Sequence, residues 1–351
     1  MREISEDNLS RSADYCLPSL AIVVIGRNEG QRLASCLESI RRVRNVAVRE
    51  LVYVDSGSAD GSPQYAASMG CRVVELDPSR PFSAARARNE GYAWIMEHDP
   101  DVPFIQFLDG DCDLVESWLE QGLSALIERP DVGVVCGHVR ELYPSASVYN
   151  QLCDLEWQQA PGELRSSGGR FLIRTELYRA AGGFRPDVIA AEDDEFCVRV
   201  RRTGAKILQV DAEMARHDLA MTRFSQWWRR SKRTGHAFAH VSALHGQSED
   251  RYFVADCRRI WLWALLLPLI ALALAPFTYG LSVLLLACAY GLQFLRTYVR
   301  GRQRGWSARQ ALIYSFFTFL FKFPALTGLL EFYWRQWRGQ VFTIIEYKGS
   351  S

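Results

Sequence analysis

The sequence has no Cys-x-x-Cys pair, no repeat of fixed period and a formal net charge of only +1. Its nine cysteines are an odd number and are scattered, which argues against a disulfide framework or a structural zinc site and favours a reducing compartment. Residues 1–15 have mixed charge and lack an apolar stretch. We therefore predict neither a secretory signal nor a transit peptide, and we expect the first domain to be cytosolic.

The small net charge conceals two regions of different composition. Residues 1–250 contain 29 Lys/Arg and 37 Asp/Glu, whereas residues 251–351 contain 12 and 3. Single cores rarely grow beyond about 250–300 residues, so a chain of 351 residues has room for one large domain and an appendage. We predict a tail at 1–17, an α/β domain at 18–250 and a basic, apolar region after it.

Short β-branched runs alternate with helical patterns between residues 20 and 208, as in a mostly parallel sheet flanked by helices. The runs are almost continuously apolar, which is typical of strands that are buried on both faces. They are Leu20–Gly26, Glu50–Asp55, Arg72–Leu76, Phe104–Asp109 and Val132–Gly137. Between the first two runs, Leu33, Cys36, Leu37 and Ile40 have the spacing of one apolar helix face.

Long apolar runs dominate the residues after 250. Segments 260–275 and 277–295 contain no charged side chain and are separated by Pro276. Each approaches the length of a helix that crosses a bilayer. Arginines lie on both sides of the pair, so the positive-inside rule predicts a transmembrane helical hairpin at 258–300 with both ends in the cytoplasm. The alternative, a soluble core, needs a second domain to cover these residues.

A third apolar region at 306–345 differs from the hairpin because Lys322 and Pro324 interrupt it. A lysine is costly at the centre of a bilayer. We therefore expect an interfacial or re-entrant amphipathic helix here, rather than a third complete span.

Three aspartates lie at the ends of predicted strands or just after them, where open α/β sheets bind ligands: Asp55, Asp109 and Asp111. Two carboxylates at one strand end suit a divalent cation, and oxygen ligands favour Mg²⁺ or Mn²⁺ over zinc. Gly110 between them lets a ligand approach the backbone. The alternative for each aspartate is an ordinary cap of a helix or turn. Asp113 is predicted to be a charge at the N-terminus of a following helix.

The acidic triplet Glu192-Asp193-Asp194 is the second group of interest. Crowding of like charges raises at least one pKa, which suits a general base that operates near neutral pH. The alternative is an acidic helix N-terminus, and the two interpretations are compatible because a helix start can hold such a base.

Six segments occur in a fixed order: VVIGRNEGQRLASCLESI, VDSGSADGS, AARARNEG, FLDGD, GGRFLIRTELYRAAGGF and AEDDEFCVRVRRTG. In this order and at these intervals, residues 18–245 resemble the membrane-attached, family-2 inverting glycosyltransferases, which have a GT-A fold. The resemblance implies a nucleotide-sugar donor, of which UDP-hexoses are the commonest in the family, and Mg²⁺ or Mn²⁺ as cofactor.

The resemblance also implies a role for individual residues. The positions that match the donor site are Arg27, Asn28, Glu29, Asp55, Arg88, Asn89 and Asp109, and those that match the metal site are Asp109, Asp111 and His217. The catalytic position is Asp193, with Asp194 and Glu192 beside it. The acceptor or diphosphate side is matched by Gly182, Gly183, Phe184, Gln226, Arg229 and Arg230. His217 has a structural role as its alternative. Arg230 stands where the Q-x-x-R-W element of processive synthases has tryptophan, which argues against processivity, and the basic run around it binds either diphosphate or anionic lipid.

The predicted function is sugar transfer to a lipid-linked or membrane-proximal glycan acceptor at the cytoplasmic face of the inner membrane, in polysaccharide or cell-envelope biosynthesis. One alternative is transfer to a polyprenyl phosphate, and another is an inactive membrane scaffold or glycan-binding subunit. A nucleotidyltransferase would need a glycine-rich triphosphate loop, which we do not find. Membrane lipids are expected partners, and nucleic acid is not.

Overall fold

The computed structural model describes residues 17–340. Its first part is a nine-stranded sheet with helices packed on it. The strands are β1 (Leu20–Gly26), β2 (Val48–Asp55), β3 (Arg72–Glu75), β4 (Phe104–Asp109), β5 (Cys112–Leu114), β6 (Val132–Glu141), β7 (Gly162–Glu163), β8 (Phe171–Arg174) and β9 (Lys206–His217). The helices are α1 (Gln31–Arg41), α2 (Ser62–Ser68), α3 (Ala84–His98), α4 (Trp118–Glu128), α5 (Val148–Trp157), α6 (Thr175–Ala180), α7 (Glu192–Arg202) and α8 (Phe224–His245).

The strand order is β3-β2-β1-β4-β8-β6-β9-β5, and β7 pairs with β9. The first four strands are mutually parallel, and β8 then runs antiparallel between β4 and β6. All five predicted runs are strands, although β6 continues to Glu141. The predicted sheet is therefore confirmed, with antiparallel strands added in its second half.

The prediction for Asp113 was wrong. Asp113 lies inside β5, which pairs antiparallel with β9, and the next helix begins only at Trp118. Its carboxylate accepts a hydrogen bond of 2.8 Å from Ser35. The strand forms because a distant segment, β9, supplies its partner, and such pairing overrides a local helix signal.

Aromatic side chains form the core beneath the candidate site. Phe184 stacks on Phe196 of α7 at 4.5 Å between ring centroids, and Phe107 of β4 lies 5.3 Å from Phe171 of β8. Tyr178 joins them, 5.2 Å from Phe107. Burial of each such ring stabilises the fold by about 1.5–3 kcal/mol. The cluster therefore fixes α7 and the turn before it against the middle of the sheet.

The C-terminal helices are α9 (Val254–Trp261), which continues through a π-helical turn (Leu262–Leu266) into α10 (Leu267–Leu274), then α11 (Leu281–Gln303), α12 (Ala308–Leu320) and α13 (Lys322–Trp337). Three helical stretches, Val254–Leu274, Leu281–Gln303 and Ala308–Trp337, are long and apolar enough to cross a membrane. Many of their leucines face outward; Leu272, for example, is 64% exposed. The predicted pair of apolar helices is present, with the second beginning at Leu281 rather than at Phe277.

Helix α13 packs closely against α8. Gly235 of α8 lies against the backbone of Ala325, and Gly328 of α13 lies against the backbone of Lys232, so that a Cβ on either glycine would overlap the neighbouring helix. Lys232 also pairs with Glu331 at 2.6 Å. The third apolar region is thus attached to the first domain. Whether it crosses a bilayer stays a prediction, and its residues 341–345, like most of the predicted tail at 1–17, lie outside the described residues.

Candidate active site

The parallel strands bring two of the predicted aspartates to one edge of the sheet. In the strand register, Gly26 at the end of β1 is opposite Asp55, and Ile25 is opposite Asp109. Asp55 and Asp109 therefore flank the end of β1, where the loop containing Arg27, Asn28 and Glu29 begins.

Asp55 is 2% exposed and organises the loop that follows it. Its carboxylate accepts hydrogen bonds from the Tyr53 hydroxyl at 3.0 Å, from the Gly57 N–H at 2.9 Å and from the Ser58 N–H at 2.7 Å. Burial, with the neighbouring Asp55 charge, raises the pKa of Tyr53, so the hydroxyl stays a donor. The loop is consequently held in one conformation before any ligand binds.

Asn28 joins this loop to the one after β1. Its side-chain oxygen accepts from the Ala59 N–H at 2.8 Å, and its own N–H donates to Ser58 Oγ at 2.8 Å. Asn28 has φ 53, a left-handed conformation that asparagine tolerates better than most residues. The Arg27 guanidinium lies 5.4 Å from the Phe82 ring centroid, and Glu29 pairs with Arg32 at 2.9 Å.

Arg88, in α3, connects Asp109 to the acidic triplet. Its guanidinium donates to Asp109 Oδ1 at 2.9 Å and to Glu192 Oε1 at 2.8 Å, and only 2% of the residue is exposed. The two carboxylates raise the pKa of Arg88 although burial opposes its charge. A guanidinium can bridge two carboxylates because its donors are fixed in a plane. Arg88 therefore sets the spacing between Asp109 and Glu192.

Asn89, the next residue, holds the Gly182-Gly183-Phe184 turn. Its Nδ2 donates to the Phe184 carbonyl at 2.7 Å, and its Oδ1 accepts from the Phe184 N–H at 2.8 Å and from the Tyr178 hydroxyl at 2.7 Å. Gly182 and Gly183 have φ 77 and 65, which side chains with a Cβ rarely adopt. Asn89 thus positions the turn that leads to α7.

Asp111 is paired with His217. The Asp111 carboxylate lies 2.9 Å from His217 Nε2, and both residues are at least 95% buried. The β5–β9 pairing places Cys112 opposite His217, and the Cys112 thiol donates to Asp111 at 3.5 Å. One ligand atom from each of these three residues lies within 4.8 Å of the others. Burial raises the pKa of the Cys112 thiol well above its ordinary value.

These donors fit a divalent metal ion. A carboxylate and an imidazole are both ligands that manganese accepts, and neighbouring diphosphate oxygens could complete the coordination. Asp109 is arranged differently, since its carboxylate contacts Arg88 and, at 3.4 Å, Arg170. The structure thus brings Asp111 and His217 together, and it places Asp109 against two cations.

The triplet occupies the first turn of α7, where the helix dipole favours negative charge. Glu192 is ion-paired with Arg88, which lowers its pKa against the effect of burial. Asp194 accepts a hydrogen bond of 2.7 Å from Tyr252. Burial, with the charges of Asp194 and Glu192, raises the pKa of Asp193 to about 7, against the opposing effects of Arg88 and of a backbone hydrogen bond from Asp194. The three acids therefore differ in their surroundings.

Sequence comparison relates part of this arrangement to a known family. Residues 21–184 match the model of glycosyl transferase family 2. This stretch, just under half of the chain, is similar to glycosyltransferase family 2 domains. The matched range contains Asp55, Arg88, Asp109 and Asp111, and it ends at Phe184, so that the acidic triplet and His217 lie beyond it.

Two curated relatives of the chain come from Haloferax volcanii. Glycosyltransferase AglE is 23% identical over 197 residues, which are 54% of this chain and 63% of the relative. Dolichyl-phosphate hexose transferase is 31% identical over 122 residues, which are 34% of this chain and 48% of the relative. Each match spans less than two thirds of the relative's own length.

A solved structure with a similar fold is the mannosyltransferase PcManGT from Pyrobaculum calidifontis, in complex with GDP-Man and Mn²⁺. It is 18% identical, with a TM-score of 0.59, and the alignment covers 89% of this chain and 87% of that one. The chain therefore has the GT-A fold that its sequence motifs implied.

The structure does not bring every predicted residue to these carboxylates. Gln226 Oε1 accepts hydrogen bonds from the N–H groups of Thr222 and Arg223, both at 2.9 Å, and so caps α8. Arg230 pairs with Glu156 at 3.1 Å, and Arg229 is an exposed residue of α8. The assignment of these three residues to the acceptor or diphosphate side of the site stays a prediction.

Two further residues of the site were missed by sequence reasoning. Arg170 at the start of β8 lies 3.4 Å from Asp109, and the Asp109, Asp111 and Cys112 side chains keep it charged despite its burial. Trp157 at the end of α5 covers Arg170, at 5.7 Å, and the His217 ring, at 5.0 Å. Arg170 stood inside the GGRFLIR segment, but nothing in that segment indicated which partner it would meet.

Proposed function

We propose that the protein is a metal-dependent, inverting glycosyltransferase that moves a sugar from a nucleotide-diphosphate sugar to a lipid-linked or membrane-proximal glycan acceptor. The observation that carries the proposal is the placement of Asp193. It is a partly exposed carboxylate whose pKa is raised to about 7, and it lies beside an acid that Arg88 ties to Asp109. A base of this pKa works well near neutral pH.

In the proposed reaction, Asp193 accepts the proton of the acceptor hydroxyl while that oxygen attacks the anomeric carbon. The bond from this carbon to the diphosphate breaks as the new bond forms, which inverts the configuration. A divalent ion between Asp111 and His217 would neutralise the charge that develops on the leaving diphosphate. Arg88 and Arg170 hold Asp109 in place for the donor sugar. Asp55 and Asn28 keep the two nucleoside-side loops together.

The choice of substrates is supported by the relatives. PcManGT was solved with GDP-Man and Mn²⁺, and a relative from Haloferax volcanii is named dolichyl-phosphate hexose transferase. We propose a nucleotide-diphosphate hexose as donor, with UDP-hexose as the first candidate, and Mg²⁺ or Mn²⁺ as cofactor. A polyprenyl phosphate is the second candidate acceptor, and it needs no base because a phosphate is already ionised.

The experiment is a screen of the purified protein in detergent against a panel of nucleotide sugars, with Mg²⁺ or Mn²⁺ and with a chelator as control. Asp193→Asn is compared with Asp187→Asn, which alters a more exposed acid five residues upstream of the triplet. We expect the first variant alone to lose transfer. Full transfer by Asp193→Asn would favour the phosphate acceptor, and absence of turnover with every donor would contradict the proposal.

We further propose that 258–300 forms a transmembrane hairpin in the inner membrane, that 306–345 lies at its interface and that the domain at 18–250 faces the cytoplasm. The arginines that flank the hairpin support this orientation. Tyr279 in the turn is fully exposed. In spheroplasts, Tyr279→Cys should react with a membrane-impermeant maleimide, whereas Arg304→Cys should not; the opposite pattern would reverse the orientation.

A further inference from the structure

A cysteine completes the group of potential metal ligands that Asp111 and His217 begin. Cys112 follows Asp111 in the chain, is 0% exposed and lies opposite His217 across the β5–β9 pairing. Its Sγ is 3.5 Å from Asp111 Oδ1, while Asp111 Oδ2 is 2.9 Å from His217 Nε2. The three side chains therefore converge on one volume from two strands.

The spacing of these three donor atoms is compatible with their binding one shared metal ion. Carboxylate oxygen, imidazole nitrogen and thiolate sulfur bind zinc-class ions at about 2.0–2.3 Å. Ligands around such an ion lie further from each other than from the ion, and here the three donor atoms are all within 4.8 Å of one another.

The chemistry of the group is softer than that of a pair of carboxylates. Carboxylate and water ligands suit magnesium and manganese, whereas imidazole and thiolate suit zinc and related ions. The Arg170 guanidinium is 3.8 Å from Cys112 Sγ, so a positive charge already faces the sulfur. When an ion binds, the thiol proton passes to water and the thiolate forms the bond to the metal.

We infer that Cys112 is a third protein ligand and that the site binds zinc-class divalent ions, including Co²⁺ and Cd²⁺, more tightly than Mg²⁺. The inference deepens the proposed function, on which it rests for the role of the metal. It has a functional consequence, because a zinc-class ion that fills all three donors competes with Mn²⁺ and slows sugar transfer. Removal of this ion with a chelator, followed by addition of Mn²⁺, restores the rate of sugar transfer.

The test is a titration of the full-length, detergent-purified protein with Cd²⁺ or Co²⁺ in the absence of nucleotide sugar. A sulfur-to-metal charge-transfer absorption reports a Cys ligand, and competition with Mn²⁺ gives relative affinities. Cys112→Ser is compared with Cys36→Ser, which removes another buried thiol of the same core. Removing a residue that only hydrogen-bonds a metal ligand lowers metal affinity by about 10–100-fold. Removing a ligand itself should therefore lower metal affinity by about 100-fold or more.

We expect Cys112→Ser to lose the absorption and about 100-fold in Cd²⁺ affinity while its Mn²⁺ affinity changes far less, and Cys36→Ser to retain both. Absorption that persists in Cys112→Ser, or an equal loss for Cd²⁺ and Mn²⁺, overturns the inference. If Cys112→Ser does not fold, X-ray absorption of the Zn²⁺-loaded wild type and Cys36→Ser proteins decides, because one sulfur at about 2.3 Å must be present in both.

These readouts do not depend on sugar transfer. A sulfur ligand found without turnover of any nucleotide sugar supports the metal site and contradicts the proposed function. Turnover with Mn²⁺ but without sulfur coordination supports the proposed function and contradicts the assignment of Cys112 as a metal ligand.

Discussion

Tyr252 donates a hydrogen bond of 2.7 Å to Asp194. Tyr252 lies two residues before α9, the first helix of the C-terminal region, and its ring is 4.7 Å from the Arg165 guanidinium. The next residue, Phe253, has φ 55, a strained conformation that persists only where surrounding contacts enforce it. The start of the apolar region is therefore attached to the acid beside the proposed base.

Tyr252→Phe should shift the pH dependence of transfer. Its hydroxyl favours the charged form of Asp194, so its removal raises the pKa of Asp194 further. A protonated Asp194 no longer repels the Asp193 charge, and the pKa of Asp193 then falls. We expect the acidic limb of kcat to move to lower pH and kcat above that limb to decrease, because the base is weaker.

The matched control is Tyr143→Phe, whose side chain is exposed. A lost hydrogen bond to a charged group costs about 1.5–3 kcal/mol of stability, so thermal unfolding should be recorded for both variants. A merely structural role would lower Tm without moving the pH limb.

The pH–rate profile of the wild type should rise through about pH 7. Asp193 accepts a proton only when ionised, and its pKa is raised to about 7. The profile of kcat against pH, measured with saturating donor and metal, checks this. An acidic limb near pH 4, the ordinary range of a carboxyl group, would exclude Asp193 as the base.

Asp193→Asn should stabilise the fold while it abolishes transfer. Because the folded pKa of Asp193 exceeds its unfolded value, the unfolded chain ionises first as pH rises, and the folded state is increasingly penalised between about pH 4 and 7. The neutral variant avoids this penalty. We expect its Tm to exceed that of wild type by at least about 2 °C at pH 8, with no difference near pH 4. A lower Tm at pH 8 would contradict the raised pKa.

Arg88→Lys should show whether the site needs only the positive charge of Arg88 or also the planar geometry of its guanidinium. Lysine keeps the positive charge but cannot donate to Asp109 and Glu192 in one plane. Misplacement of a catalytic group by about 1 Å can cost about 100-fold in rate, so we expect a loss of kcat of that order. Arg88→Ala should instead destabilise the fold by about 3–5 kcal/mol, because the buried Glu192 loses its ion-pair partner and Asp109 keeps only Arg170. Arg129→Lys, at an exposed pair, is the control for both measurements.

Alanine at Gly235 or Gly328 should loosen the contact of α8 with α13. The added methyl group meets the facing backbone, and such overpacking costs about 1–3 kcal/mol. Gly291→Ala in α11 is the control, since nothing lies within 4 Å of its Cβ position. The rate of limited proteolysis should rise for the first two variants only. Equal rates in all three would show that the contact does not hold the helices together.

Much of the site could be anticipated because its signals are local. Apolar runs mark β2 and β4, and a residue directly after a parallel strand lies at the ligand-binding edge, which is how Asp55 and Asp109 were found. The triplet could be placed at a helix start because acids favour that position. Both inferences depend on short stretches of sequence.

The remaining residues depend on distant pairings. Arg170 reaches Asp109 only because β8 enters the sheet antiparallel beside β4. Cys112 was counted as one of several scattered thiols, and its position opposite His217 exists only after β9 pairs with β5. The error at Asp113 has the same origin. Single-sequence patterns carry no information on which strands become neighbours.

The position of β9 in the chain has a consequence for biosynthesis. Asp109 and Asp111 emerge from the ribosome long before His217, which is the last residue of β9. A nascent chain that ends before residue 206 contains the D-x-D motif but lacks both the imidazole and the strand that pairs with β5. A metal site that uses both Asp111 and His217, as we propose, can therefore form only when the sheet domain is nearly complete, and the apolar helices follow only after that point.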